Sequence, residues 1–346
     1  MRVFSTLPQE DLRKVGPAAR ALEAQGYDGV VCMENRHDPF LPIAVAGLQT
    51  ARLELHTGIA IAFARSPMTV ANMGWDLAGA TGGRFVVGLG PQVRAHNERR
   101  FSVPWSAPAP RMREYVQALR AIWQAWKTGG KLAYEGAHYR FSLMPPNFVP
   151  EPIEAPSPAI TIAAVGPAMA TVAAEECDGL KLHVFATRVY LEREVLPRVM
   201  AGLAKVGRPR ERYEISGGGF LVTGADDAAV QRMFDWVRQR VAFYGSTPAY
   251  WPVLAAHGLE DLGQALNQLT RQGRWGDMAA LVSDDVVRLF AAVGRHDEIV
   301  GAIAARFGGL TDTIQASANS SMPADLPPDL IQDIRRLPRQ FAGFAR

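Results

Sequence analysis

Cysteine is nearly missing from this chain: its 346 residues include two, Cys32 and Cys177, far apart and without the spacing of metal ligands. That excludes a disulfide framework and a cysteine-built metal site, and it leaves two buried, reduced thiols as the expectation. Neither charge dominates. Lys and Arg number 37 against 34 Asp and Glu, a net +3, so there is no global basic field to draw nucleic acid, and any anion site must be local. No apolar run approaches the ~20 residues of a membrane span. The opening Met1-Arg2-Val3-Phe4-Ser5-Thr6-Leu7-Pro8 is too short and polar for a signal peptide, so the cytoplasm is the expected address and no membrane an expected partner. A complete glycine fingerprint is also lacking. Gly88-Leu89-Gly90-Pro91-Gln92-Val93 has no third glycine and puts Pro91 in the turn, which argues against dinucleotide binding on a Rossmann unit.

What the chain does have is 48% apolar and 21% charged content, a globular balance with enough length for a large core. Apolar runs of strand length occur at 3–6, 29–33, 53–62, 85–89, 160–164, 179–182, 213–222 and 313–315. They alternate with amphipathic stretches at 12–25, 41–50, 68–80, 112–127, 168–176, 189–206, 228–243 and 284–307, the last broken at Gly294. Eight strand–helix alternations predict a single-domain (β/α)8 TIM barrel, with a doubly wound open sheet as the runner-up. Two insertions stand out. Residues 129–158, rich in Pro and aromatics, predict a hairpin and loop over the barrel mouth, and 244–284 predicts a helical insertion. The polar, Pro-interrupted tail from about 317, with a short helix at 330–336, reads as surface packing.

Chemistry in such a barrel sits at the carboxyl ends of the strands. Glu34-Asn35-Arg36-His37-Asp38-Pro39 follows a buried strand there, making Glu34 the first catalytic candidate and His37 a second, with a capping role for His37 as the alternative. His183, after Asp178-Gly179-Leu180-Lys181-Leu182, is a third, suited to acid–base work or anion recognition, or else simply bonded to backbone. His56 lies deeper and reads as a satisfied core histidine. Ala164-Val165-Gly166-Pro167 puts a strand end, a glycine and a helix-opening proline in succession, so the amides near Ala168 and Met169 form a candidate phosphate cradle. Arg94, His96, Arg99 and Arg100 crowd another helix start, as a local anion site or a solvated basic turn. Tyr244, Tyr250 and Trp251, with Trp105 and Phe148, are candidates for an apolar substrate wall, whereas Trp123 and Trp126 read as core or subunit contact.

The order and spacing of Gly29–Glu34, Thr57-Gly58-Ile59, Gly83–Gly90, Ile162–Pro167 and Cys177-Asp178-Gly179 resemble the bacterial luciferase-like flavin superfamily, over nearly the whole chain. Within it they are similar to the oxidoreductases that use the deazaflavin coenzyme F420. The resemblance implies the same barrel, with a cofactor at the carboxyl ends of its strands. It implies a cis peptide at Gly58–Ile59 behind the ring, against an ordinary glycine kink as the alternative, with Thr57, Gly90 and Gln92 beside the cofactor, and it would make the anion site at His96 one for an acidic cofactor tail. It also places Ala164, Val165, Gly166 and Pro167 at the cofactor phosphate and Glu34 at the pyrimidine end of the ring. Two departures follow: Asn35 stands where alcohol-oxidising relatives have histidine, and Val93 where they often have glutamate. Both argue against simple alcohol or sugar-phosphate dehydrogenation, since neither side chain takes a proton. The expectation is an F420-dependent enzyme moving a hydride to or from a small, largely apolar organic substrate, as a homodimer without metal. An FMN-dependent monooxygenase is the first alternative, and a non-catalytic flavin- or ligand-binding barrel the second.

Overall fold

Strands that are apolar on both faces need cover on both, and a ring of helices around a filled interior provides it. The computed structural model describes residues 1–317 and 326–345. Its first repeats are β1 (Arg2–Thr6), α1 (Leu12–Gln25), β2 (Gly29–Cys32) and α2 (Phe40–Gln49). Next come β3 (Glu54–Thr57), β4 (Ala60–Ile61), α3 (Pro67–Ala80), β5 (Phe85–Gly90), α4 (Arg94–Arg100) and α5 (Pro108–Thr128). A hairpin of β6 (Tyr134–Glu135) and β7 (Arg140–Phe141) precedes β8 (Ala159–Ala164), α6 (Pro167–Glu176) and β9 (Gly179–Leu182). The helix that follows is built in pieces: α7 (Arg188–Tyr190), a π-helical stretch Leu191–Val195 and α8 (Leu196–Lys205). The remainder runs β10 (Glu214–Gly217), β11 (Phe220–Val222), α9 (Asp227–Gly245), α10 (Trp251–Ala255) and α11 (Glu260–Arg271). It ends with α12 (Asp284–Phe290), β12 (Ala291–Val293), α13 (Ile299–Phe307), β13 (Thr313–Gln315) and α14 (Pro328–Arg335).

The main sheet runs β3-β2-β1-β13-β10-β9-β8-β5-β4, and pairing of β3 with β5 closes it. Its ladders are parallel, as in Cys32 opposite Thr57 and Val86 opposite Ala159. With β3 and β4 counted as one interrupted stave, this is a closed eight-stranded (β/α)8 barrel, not an open doubly wound sheet. Local chemistry sets the helix starts. Asp11 accepts the Arg13 amide ahead of α1, and Ser66 accepts that of Met68 while Pro67 opens α3.

The expected single strand over 53–62 is in fact two, parted at Gly58-Ile59, where the peptide bond is cis. The run at 213–222 also splits. Gly217 and Gly218 take φ of 81° and 97°, conformations other side chains rarely adopt. They turn the chain out of the barrel so that β11 pairs with β12 in a separate parallel sheet. The break near Gly294 therefore contains a strand, which the helical periodicity around it concealed. The 129–158 insertion has its hairpin, but it does not cover the mouth. It lies along α5, with the Tyr139 ring edge-on to Tyr115 at 5.5 Å and Glu114 accepting the His138 amide at 2.7 Å. The tail is more than surface: α14 buries Leu330, Ile331 and Ile334, although 318–325 of that segment lies outside the described residues. Both cysteines are buried free thiols, and burial pushes Cys32 up to about 12.

Candidate active site

A cavity of about 570 Å³ opens at the carboxyl ends of the strands and reaches down into the barrel. One side is the end of β2 and the bulge after β3. Glu34 leaves β2 with its backbone amide on Ile59 O at 3.2 Å, and its carboxylate accepts from Ile61 N and Arg65 Nη1, both at 2.7 Å. Arg65 also reaches Asp38 at 2.7 Å. A buried carboxylate needs a partner, and Arg65 is that partner, so Glu34 fastens strand end, bulge and following turn together while bordering the cavity. His37, exposed, and Asn35 line the same rim.

Gly58 and Ile59 form the cavity wall at the bulge. Behind them, the Thr57 hydroxyl both donates to Gly88 O and accepts from Gly88 N, each at 2.8 Å, so Thr57 is buried off the wall. A side-chain carbon at Gly88 would lie 1.9 Å from Thr57 O, and one at Gly90 would lie 2.8 Å from Ile59. The β5 glycines thus give the bulge its room. Gln92 lines the cavity at a φ of 59°, its side-chain oxygen accepting the Val93 amide at 2.8 Å and its NH2 group uncommitted to that bond.

The opposite side is aromatic. His183 stacks on Tyr250 with ring centroids 4.8 Å apart and meets the Tyr244 ring edge-on at 4.7 Å. Burial holds the imidazole down to about 4, so it is neutral at pH 7. Its Nδ1 accepts the Phe185 amide at 3.0 Å, which leaves the hydrogen on Nε2. Tyr244, Trp236 and Arg240 share one face of α9 and line this side, the Arg240 guanidinium lying over the Trp236 ring.

The structure thus brings Glu34, His37, Gly58, Ile59, Gln92 and His183 to one cavity. It leaves others off its wall. His96 is exposed on α4, where Arg94 pairs with Glu98, and Arg100 turns back to the Asn35 carbonyl, so the basic helix start is a solvated turn. Trp105 packs on Phe63, and Phe148 is solvent-exposed, so neither walls a substrate pocket. Ala164, Val165, Gly166 and Pro167 sit just beyond Ala163, which does line the cavity. Gly166 precedes α6 with no side-chain cap, and space around its α-carbon is open.

Sequence reasoning passed over the floor. Lys181, Glu214 and Ser216 line the cavity there, and Arg240 lines its aromatic side. A signal existed: a lysine within Gly179-Leu180-Lys181-Leu182 and the polar alternation Glu54-Leu55-His56-Thr57 both aim ionisable groups along the barrel axis. His56 is satisfied as expected, with Nε2 2.5 Å from Glu54 Oε1 and Nδ1 2.9 Å from Lys181 Nζ. Among the described residues no cluster of three or more His, Cys, Asp or Glu is arranged to hold a metal, and no helix is long and apolar enough to cross a membrane.

Comparison with known proteins adds family and fold. A family model described as luciferase-like monooxygenase matches residues 2–313. An uncharacterized protein of Mycobacterium tuberculosis is 46% identical over 314 residues, 91% of this chain and 92% of that one. The 5,10-methylenetetrahydromethanopterin reductase of Archaeoglobus fulgidus is 27% identical over 281 residues, 79% of each. Among solved structures, the coenzyme F420-dependent tetrahydromethanopterin reductase of Methanopyrus kandleri superposes with a TM-score of 0.77 at 19% identity, covering 97% of each chain. The oxygenating constituent of 3,6-diketocamphane monooxygenase from Pseudomonas putida, in complex with FMN, gives 0.61 at 17%, covering 88% of this chain and 86% of that one. At these identities the structural likenesses speak for the fold.

Proposed function

From the premise that the chain belongs to the luciferase-like monooxygenase family, we propose that this oxidoreductase binds coenzyme F420 in the cavity described above and moves a hydride between it and a small organic substrate. The observation that carries the reading is the cavity itself: about 570 Å³ at the carboxyl ends of a parallel barrel, between an irregular bulge and an aromatic wall. That volume suits a flat ring system and a small partner together. The residues fit such a group. The uncapped N-terminus of α6 supplies free amides for a phosphate, the NH2 of Gln92 and the Nε2–H of His183 are donors for ring or substrate oxygens, and Tyr244 and Trp236 offer apolar faces.

When bound, the deazaflavin supplies the hydride chemistry, and the protein's share is orientation and the handling of protons. Neutral His183, braced between two tyrosine rings, donates a hydrogen bond without adding charge. Glu34 holds the bulge in place through Arg65 and Ile61. Asn35 takes no proton, so the site has no base at that rim position. The reading extends to a homodimer, which sedimentation velocity tests.

Titration of the purified protein with F420 and, separately, with FMN, followed by absorbance, decides the cofactor. Submicromolar binding of F420 and weaker binding of FMN is the expected result. The reverse order moves the protein to the FMN-dependent monooxygenases, and binding of neither removes the reading.

A further inference from the structure

A barrel of this kind is ordinarily filled by layers of branched apolar side chains. Here its axis is charged. Glu54, with a fifth of its side chain exposed, accepts Arg2 Nη2 at 2.9 Å and contacts His56 Nε2 at 2.5 Å. The other ring nitrogen of His56 is 2.9 Å from Lys181 Nζ. Glu54 is the first residue of β3, at the amino end of the barrel, while Lys181 lines the cavity at the other. A hydrogen-bonded string therefore crosses the interior. Room for it is provided by Gly88, where a side-chain carbon would lie 2.7 Å from Lys181 Cε.

The floor on which the string ends is unfinished. Glu214 Oε1 accepts from Arg2 Nη1 at 3.0 Å and from the Thr313 hydroxyl at 2.5 Å, but its Oε2, although fully buried, has no hydrogen-bond partner. Lys181 has three N–H donors and gives one to His56. The cavity floor thus presents an ammonium with N–H donors to spare, its charge opposed by the buried Glu214 carboxylate, which suits a substrate oxygen that is a carbonyl in one state and a hydroxyl in the other. Burial pulls both Lys181 and His56 below their ordinary values, Glu214 and Glu54 opposing it for the lysine. The charges facing Lys181 are Arg2 on β1, Glu54 and His56 on β3, and Glu214 on β10. His183 on its own strand end and Arg240 and Tyr244 on α9 line the same cavity.

We propose that Lys181 is the proton donor and acceptor for a substrate oxygen seated on the cavity floor, and that His56 and Glu54 connect it to solvent at the amino end of the barrel. The proposal rests on the oxidoreductase reading. In the reducing direction the hydride adds to the carbonyl carbon, the π pair moves to oxygen, and that oxygen takes a proton from the Lys181 ammonium. The neutral amine is recharged when the His56 ring turns over so that its N–H faces Nζ: that hydrogen passes to Nζ while the other ring nitrogen takes a solvent proton delivered through the Glu54 carboxyl, and the imidazole ends neutral, as it began. Oxidation of the alcohol runs the same path backwards, with Lys181 as the base that Asn35 and Val93 do not supply.

Two measurements test it. In protein labelled with 15N-lysine, the Nζ signal that Lys181→Met removes should titrate below the ordinary lysine range, and His56→Gln should shift its midpoint. A Lys181 that titrates like free lysine, or that ignores His56→Gln, overturns the connection. In turnover, Lys181→Met should lower kcat at least 100-fold with cofactor Kd within threefold, and His56→Gln should displace the alkaline limb of the kcat profile. Should Lys181→Met not fold, Lys181→Gln and the near-isosteric His56→Gln decide the matter. Full kcat and an intact alkaline limb in the lysine variants sink this proposal alone, whereas a wild type that binds neither F420 nor FMN sinks the parent reading and the reaction step with it.

Discussion

At the scale of single residues, position in the chain and position in the site do not always carry the same meaning. Glu34 ends an apolar strand, where catalytic groups gather, yet both of its short contacts are to Ile61 N and Arg65. Glu34→Gln keeps the shape but removes the charge that faces a mostly buried guanidinium. A loss of about 2–3 kcal/mol in urea unfolding is expected, with turnover reduced because the bulge loosens; unchanged stability would show the clamp to be idle. His183 makes a pH prediction. Burial takes it to about 4 from an ordinary ~6.5, so below pH 6.5 the unfolded chain binds a proton that the folded chain refuses. Stability tied to His183 is therefore present above pH 6.5 and lost as pH falls toward 4, by at most a few kcal/mol. Urea midpoints measured across that window should fall less steeply for His183→Phe than for the wild type, and parallel slopes would contradict the buried, neutral imidazole.

At the scale of elements, the turn into α6 and the crossing of β3 with β5 use glycine for different reasons, and substitution separates them. Gly166 has an uncapped helix behind it and empty space around its α-carbon. Gly166→Asp should hold or raise the melting temperature, because aspartate is a good N-cap, while its charge repels a phosphate and weakens F420 binding by about tenfold or more. Equal affinity would place the cradle elsewhere. Gly88→Ala should do the opposite, costing about 3 kcal/mol or more by driving a methyl group into Thr57 O and the Lys181 stem. The pattern of elements was legible because buried parallel strands and amphipathic helices leave periodic marks, and α1, β9 and β13 fall where the periodicity puts them. What escaped was local geometry and long-range company. Nothing in 213–222 announces that Gly217 and Gly218 turn β11 out to meet a strand some seventy residues later. The rim candidates were readable because strand ends expose polar runs. The floor was not, since Lys181 and Glu214 come to line one cavity only when β9 and β10 lie side by side.

At the scale of the molecule, stability and chemistry occupy opposite ends of the barrel. The cavity opens at the carboxyl ends, and the chain's own termini pack together at the amino end, beside the partly exposed Glu54. The Met1 amino group donates to the carbonyls of Arg335 and Leu337, and Asp312, just ahead of β13, accepts the amides of Gln340 and Phe341 at 3.0 and 2.9 Å. Between these ties α14 turns Leu330, Ile331 and Ile334 inward, and Ile331 is wholly buried. Such a plug adds apolar burial without touching the site, so its loss should appear in folding and not in binding. Ile331→Ala is expected to lower unfolding free energy by about 2–4 kcal/mol, the transfer of the lost methylenes plus the cavity they leave. F420 affinity, measured at a temperature where the variant is folded, should stay within about threefold of wild type, or roughly 0.7 kcal/mol. A variant that keeps its stability but loses affinity would mean that the two ends communicate through the charged axis of Arg2, Glu54, His56 and Lys181, and the barrel would then have to be treated as one coupled unit.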